Sequence, residues 1–273
     1  GAIVYIQKKG ESGQFYTSGY HERTQKAAAR AEALFKIGSV TKLYDALILT
    51  KMVREGKLHL DSSLNYYLPA LNIQHAEKIT LRMLARHRSG IPNYTDLPGY
   101  WLHPKETDAE KIQLILHQKP EFTPNSSYHY SNTNYVLLSK IMDQTLGYPH
   151  FAYLKKRVLD TLGLQNTYRS VDETPLHEVM SGYHVGYEQD LKTGDKGSML
   201  ATAEDLGQFL RALNEGRVFD DAKELSLYES LYEKEHTGLI QFTSTTNFEG
   251  YHWGLSEILY GKITQLLDQQ ENP

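Results

Sequence analysis

Strand-forming runs near both ends of the chain, with helical periodicity between them, predict an α+β protein whose sheet is closed by segments distant in sequence. Ala2 to Gln7 and Gln14 to Tyr20 are β-prone, and Lys8-Lys9-Gly10-Glu11-Ser12-Gly13 between them has the composition of a turn, so an N-terminal antiparallel hairpin is expected. At the other end Leu239 to Thr245 is again β-prone. An amphipathic helix follows it, with Leu255, Ile258, Leu259, Ile263 and Leu266 on one face.

The middle reads as mostly helical. From Val40 to Glu55 the apolar residues Leu43, Leu47, Ile48 and Met52 recur at helical spacing, and Gly56 supplies a C-terminal stop. Further helical patterns cover about Thr80 to Arg86, Thr107 to His117, Asn134 to Leu146, Phe151 to Leu162 and Ala203 to Asn214, separated by Ser-Gly, Pro and Leu-Gly punctuation. The sequence carries no internal repeat and no low-complexity segment.

Composition narrows the chemistry. A chain of 273 residues with 40% hydrophobic residues can bury a substantial core as one large domain. The formal net charge of −4 argues against a nucleic-acid partner, which needs a surplus of Lys and Arg to displace phosphate counterions. With no cysteine there is no disulfide framework, no thiolate nucleophile and no Cys-ligated metal. No apolar run approaches the roughly 18 residues of a spanning helix, and Gly1-Ala2-Ile3-Val4-Tyr5 has no signal-peptide pattern, so no transmembrane segment is expected. The 12 histidines include no His-Glu-x-x-His or other compact ligand spacing, so no metal is expected; His75, His87, His117 and His129 read as surface or satisfied interior residues.

Three segments can carry chemistry. Ser39 and Lys42 in Phe35-Lys36-Ile37-Gly38-Ser39-Val40-Thr41-Lys42 are about one helical turn apart and share a face at the start of the strongest helix. A Ser hydroxyl becomes a nucleophile when a neighbouring base takes its proton, and a desolvated Lys can be that base. The plainer reading is a capping Ser beside a solvated Lys. In Tyr128-His129-Tyr130-Ser131-Asn132, Tyr130 offers a phenolic proton carrier and Asn132 an amide that both donates and accepts; against this, Tyr130 is one of 20 tyrosines and Asn132 could be a helix cap. Glu235-His236-Thr237-Gly238 lies beside the last β-prone run, where an edge strand would offer a hydrogen-bonding side chain, a hydroxyl and an open backbone to a ligand. Lys192-Thr193-Gly194 is a rival for that role, but its polar, turn-like surroundings from Glu188 to Lys196 read as a solvated loop.

Taken in order, these segments resemble the Ser-x-x-Lys, Tyr-x-Asn and His/Lys-Thr-Gly motifs of the serine β-lactamase, penicillin-binding-protein (D-alanyl-D-alanine carboxypeptidase) and esterase superfamily. Connecting segments are similar too, particularly to the class C and esterase-like branch: Gly56-Lys57-Leu58-His59-Leu60-Asp61, Tyr67-Leu68-Pro69, Ile79-Thr80-Leu81-Arg82-Met83-Leu84, Ser89-Gly90-Ile91-Pro92, Leu162-Gly163-Leu164-Gln165-Asn166-Thr167 and Ala201-Thr202-Ala203-Glu204-Asp205-Leu206. The likeness runs from about Ile3 to Gly238. Three places depart from it. Leu239-Ile240 passes straight into Gln241-Phe242-Thr243-Ser244, which resembles the family's last strand, without the usual intervening turn and strand. Pro124-Asn125 replaces Pro-Gly, and Arg86-His87-Arg88 replaces a His-Thr pair.

The resemblance implies a β-lactamase/transpeptidase-like fold in a single domain over 1–273. Its α/β part would be built from 1–57 and 198–273, and its mostly helical lobe from 58–197, with the site in the cleft between. It implies a serine hydrolase that works without a cofactor through an acyl-enzyme on Ser39, with Lys42 as general base and Tyr130 as proton shuttle to the leaving group. Asn132 would hold the substrate's amide or ester side chain, His236 and Thr237 its carboxylate, and the backbone near Gly238 would join the Ser39 N–H as oxyanion donor. Expected substrates are small molecules or cell-wall peptides and esters: D-alanyl peptides, β-lactams or related esters. His236 in place of Lys and the esterase-like segments favour a carboxypeptidase or esterase over a dedicated β-lactamase. An extracytoplasmic location follows from the family. The alternative is a catalytically silent sensor or binding module of the same fold.

Overall fold

The structure of the protein is a computed structural model that describes residues 1–7, 10–184, 190–194, 197–231 and 245–246. The expected hairpin is present: β1 (Ala2–Ile6) pairs antiparallel with β2 (Gln14–Ser18), Val4 opposite Tyr16 and Tyr5 opposite Phe15, and the last two rings touch at 5.0 Å. A second ladder joins β3 (Tyr20–Glu22) to β4 (Ala27–Ala28). β5 (Phe35–Lys36) then leads through a 3-10 turn, Gly38–Val40, into helix α1 (Thr41–Arg54).

Three short helices follow, each begun by a side chain that accepts from an otherwise unpaired backbone N–H. α2 (Leu64–Tyr67) is capped by Ser63, and α3 (Leu81–Ala85) by Thr80. α4 (Asp108–Gln113) carries a full capping box between Thr107 and Glu110 and ends earlier than the expected His117. α5 (Asn132–Leu146) closes at Gly147. A continuous helical segment then runs through α6 (His150–Leu154), a π-helical turn (Lys155–Leu159) and α7 (Asp160–Leu162). Beyond it come β6 (Thr167–Tyr168), β7 (Tyr183–His184), β8 (Leu200–Ala201), α8 (Ala203–Asn214), α9 (Ala222–Glu229) and β9 (Thr245–Thr246).

The class is therefore α+β, with small sheets among helices. β8 lies between β5 and β6, antiparallel to both, with Leu200 opposite Lys36 on one side and Tyr168 on the other; β7 and β9 pair in parallel. This central ladder extends toward the site, since Ile37 N–H donates to Met199 O at 2.9 Å and Gly38 N–H to Ser198 Oγ at 3.1 Å. Residues 239–244 and the expected helix with Leu255 to Leu266 lie outside the described residues. No helix among the described residues is long and apolar enough to cross a membrane.

α1 departs from its expected one-sided stripe, because every residue from Tyr44 to Met52 is buried. Its apolar side chains join one core cluster with Leu138 and Ile141 of α5 and Phe209 of α8, whose ring stacks on Tyr44 at 3.7 Å. Three of its polar side chains are matched inside that core: Thr50 Oγ1 donates to Ala46 O, Asp45 faces His150, and Lys51 faces Glu224. The hairpin docks on α8 at Gly207, where a Cβ would lie 2.6 Å from Tyr5 Cδ1. A glycine costs about 1 kcal/mol in a helix interior, so this one is explained by the close approach of the ring.

Candidate active site

Ser39 sits on the 3-10 turn and Lys42 in the first turn of α1, so the local fold alone puts them on one face. Lys42 Nζ lies 3.3 Å from Ser39 Oγ. From the loop before α5, Tyr130 brings its hydroxyl to 2.7 Å from Ser39 Oγ. Asn132, the first residue of α5, turns its Oδ1 to Lys42 Nζ at 2.8 Å and accepts from the Tyr130 hydroxyl at 3.4 Å. The amine also stands over the rings of Tyr130 and Tyr135, at 5.1 Å and 5.5 Å from their centroids. Four of the seven residues singled out in the sequence are thus in one hydrogen-bonded cluster. The other three, His236, Thr237 and Gly238, lie outside the described residues.

A second chain segment holds the loop that delivers Tyr130. Gly90, at φ 75°, accepts from Glu121 N–H at 2.9 Å, and a Cβ there would lie 2.2 Å from Phe122 O, so only glycine fits. His87 O accepts from His129 N–H at 3.0 Å, and His87 Nδ1 accepts from Ser131 N–H at 3.2 Å while its ring packs on Tyr130 at 4.5 Å. Asn125 adopts φ 68°, the left-handed conformation that asparagine tolerates better than most residues, and its N–H donates to Arg88 O at 2.8 Å. The Pro-Asn and Arg-His-Arg departures noted in the sequence are therefore both part of this support.

His87 is more than a satisfied interior residue. Burial, reinforced by the nearby Lys42 charge, pushes its pKa down to about 3, so the imidazole beneath Tyr130 is neutral across the physiological range. Asn93 was likewise not picked out by sequence. It is 5% exposed, and its Oδ1 accepts from Asn132 N–H at 3.0 Å. That bond satisfies an N-terminal N–H of α5 and explains why the helix starts at Asn132 rather than Asn134.

Two further expectations change. Lys192 is not in a solvated loop: it is 9% exposed, with its Nζ 2.9 Å from Glu22 Oε2, and Lys36 of β5 donates to the carbonyls of Leu191 and Gly194. The polar composition suggested solvation because the covering carboxylate comes from a strand remote in sequence. The amine of this Lys-Thr-Gly triplet is thereby committed to an internal ion pair. Asp96, Glu121 and His129 come together with potential ligand atoms within 4.8 Å of one another, a proximity no sequence spacing announces; all three are exposed, and His129 already pairs with Glu121.

Comparison with known proteins places the chain in a family. The family model described as Beta-lactamase matches residues 1–261. A Pseudomonas fluorescens protein named Beta-lactamase is 30% identical over 183 residues, 67% of this chain and 49% of its own length. Penicillin-binding protein 4* of Bacillus subtilis is 26% identical over 69% of this chain and 42% of its own, so the chain spans about half the length of these curated relatives. Among solved structures, D-amino acid amidase from Ochrobactrum anthropi SV3 complexed with D-phenylalanine superposes with a TM-score of 0.71 at 28% identity, covering 81% of this chain and 67% of that one. A penicillin binding protein from Bacillus halodurans shares the fold, with a TM-score of 0.70 at 22% identity over 81% and 71% of the two chains. A serine and a lysine one helical turn apart, met by a tyrosine and an asparagine from a remote loop, thus stand in a chain that belongs to the beta-lactamase family.

Proposed function

We propose that this protein is a serine hydrolase that cleaves an amide or ester bond through an acyl-enzyme on Ser39. The observation that carries the reading is the position of Ser39 Oγ, 2.7 Å from the Tyr130 hydroxyl and 3.3 Å from the Lys42 amine, within range of both proton acceptors. In the acylation step Ser39 Oγ bonds to the carbonyl carbon while its proton passes to Lys42. The bond to the leaving group then breaks as Tyr130 hands that group a proton. Water attacks the ester on Ser39, its proton returns through the same pair, and the free acid departs. The Ser39 N–H at the head of α1 serves as one oxyanion donor.

The substrate class we favour is a small D-configured amide or peptide, or a short ester. The amidase neighbour, complexed with D-phenylalanine, supports amide chemistry on this fold. His236 and Thr237 are assigned the substrate carboxylate, and Gly238 the backbone of the oxyanion site, on the strength of the family resemblance. An extracytoplasmic site of action is proposed on the same ground.

The test is a panel of D-phenylalanine amide, a D-Ala-D-Ala peptide, nitrocefin and p-nitrophenyl acetate, with parent and Ser39→Ala proteins. The expected result is turnover of at least one amide or ester that vanishes in Ser39→Ala, with an acyl mass adduct on Ser39. Full activity in Ser39→Ala would remove the assignment. Stable penicillin binding without turnover of any member would instead support the silent sensor.

A further inference from the structure

The side-chain amide of Asn132 has two ends, and which one faces Lys42 decides what the lysine can do. The end near Lys42 Nζ is held there by a chain of contacts that begins on the far side. Asn93 accepts through one atom from two backbone donors, Asn132 N–H at 3.0 Å and Thr95 N–H at 3.4 Å. A backbone N–H can only donate, so that atom must be the Asn93 oxygen. The other end of the Asn93 amide lies 2.9 Å from Asp96 Oδ1, a carboxylate that can only accept, so it must be the nitrogen. Asn132 then meets Asn93 Oδ1 at 3.3 Å and Thr95 Oγ1 at 3.1 Å with one end, which must be its nitrogen. Its oxygen is left for Lys42 at 2.8 Å and Tyr130 at 3.4 Å. Amide ends are assigned from hydrogen-bond logic, and here each link of that logic has one solution.

We propose that Asp96 and Asn93 fix the direction of the Asn132 amide, so that its carbonyl and not its NH2 faces the Lys42 amine, making Asn93 a positioning residue for the base. This rests on the proposed role of Lys42. A neutral amine that donates one N–H to Asn132 Oδ1 keeps its lone pair for the Ser39 proton, and the ammonium formed by that transfer is met by the same oxygen. A reversed amide would direct its N–H groups at the lone pair, compete with Ser39 for it and then repel the ammonium. Both Asn132 N–H groups are also occupied within the protein, so the donor that meets the substrate's own amide is another group or becomes free only after Asn132 lets go of Asn93 or Thr95. Asn93 is 5% exposed, as a fixed reference for direction requires, whereas Asp96 at the outer end is exposed.

Among the described residues, the ionisable groups facing the Lys42 amine are Tyr130 and Tyr135 beneath it and His87, which feels its charge; Asp45, one turn further along α1, faces His150. None is altered by a change at Asn93, so the titration of Lys42 reads the amide direction. The experiment follows the Lys42 Nζ resonance in 15N-lysine-labelled protein against pH, beside the acylation rate with p-nitrophenyl acetate. In Asn93→Ala the amide is released, the ammonium loses a charge-assisted acceptor for part of the time, and the midpoint falls by about one pH unit. Acylation slows about tenfold to a hundredfold in kcat with KM little changed. In Asn93→Asp an acceptor still faces Asn132, and the midpoint stays at or above its parent value. Should Asn93→Ala fail to fold, Asp96→Ala at the exposed end frees Asn93 to turn and gives a smaller fall. That fall persists at 1 M salt, where the loss of an exposed charge alone would be screened. An unmoved midpoint in Asn93→Ala, or equal falls in Asn93→Ala and Asn93→Asp, overturns the proposal. Parent-like acylation by Lys42→Ala would overturn the catalytic reading itself, while the NMR midpoint would still decide the amide direction.

Discussion

Helix α1 carries two lysines whose surroundings differ in the kind of oxygen they meet. Lys51 is 2% exposed and its amine lies 2.8 Å from the carboxylate of Glu224, itself 1% exposed, with Asp220 at 3.5 Å. Among the described residues, the hydrogen-bond acceptors of Lys42 are neutral: the Ser39 hydroxyl and the Asn132 carbonyl. A buried carboxylate fits an ammonium and ties α1 to α9. A hydroxyl and an amide oxygen accept as readily from a neutral amine, which leaves a lone pair for chemistry. One helix thus holds a lysine paired with a buried carboxylate and another, the proposed base, that meets neutral oxygens, and the partner rather than the lysine makes the difference.

The largest effect expected from breaking this contrast is at Lys42. Lys42→Ala should reduce acylation by about 10²–10⁴-fold, the range for losing a general base, while thermal denaturation shows a protein as stable as the parent. Lys51→Ala should do the reverse, costing about 3–5 kcal/mol in urea denaturation because Glu224 is left buried without its cation, with turnover per folded molecule retained. The double change Lys51→Met with Glu224→Leu should recover most of that loss; a double variant as unstable as Lys51→Ala would mean that the pair matters for more than charge balance.

Two histidines, His87 buried and His150 partly buried, sharpen the same lesson. His150 is opposed by burial but lies 2.6 Å from Asp143 and 3.3 Å from Asp45, and the carboxylates win, raising its pKa to about 9. His87 faces the Lys42 cation and one backbone donor, Ser131 N–H, and is pushed down to about 3, burial being the main cause and Lys42 the next. The signs are opposite. The stabilisation from His150 is complete below the ordinary pKa of 6.5 and is lost as pH rises toward 9, about 3 kcal/mol in all. The unfolded chain protonates His87 before the folded protein does, so stability falls as pH drops below 6.5, by about 2 kcal/mol at pH 5. Denaturation midpoints across pH should show His150→Gln flattening the alkaline side and His87→Gln flattening the acid side; a swapped pattern would refute both assignments.

What could be read from sequence was whatever repeats or sits close along the chain. The hairpin, α1 and the Ala203–Asn214 helix follow from period, turn composition and stop signals, and the last was placed to the residue. Ser39 and Lys42 were legible because one helical turn relates them, and Tyr130 and Asn132 because their spacing resembles a family motif. His87, Asn93 and the Glu22 partner of Lys192 were not. Each acts across a tertiary contact that leaves no periodic trace, and a buried polar residue with its partner 39 or 170 positions away looks in sequence like a loop residue. The all-round burial of α1 was hidden for a related reason, since Asp45, Thr50 and Lys51 read as a solvent face until their internal partners are known.

The distances along the chain between the members of the cluster also bear on how the candidate site is assembled. Ser39 and Tyr130 are separated by 91 residues and Asn93 and Asn132 by 39, whereas helices α1 and α5 beside them are local structures. Helices form in about a microsecond, while contacts of such high sequence separation must first meet the entropy of closing long loops. During refolding, far-ultraviolet ellipticity should therefore recover before Ser39 can be labelled by a fluorophosphonate. On the proposed reading, the hydroxyl of Ser39 gains its two polar neighbours in separate stages, Lys42 with the local helix and Tyr130 only once the long loop has closed.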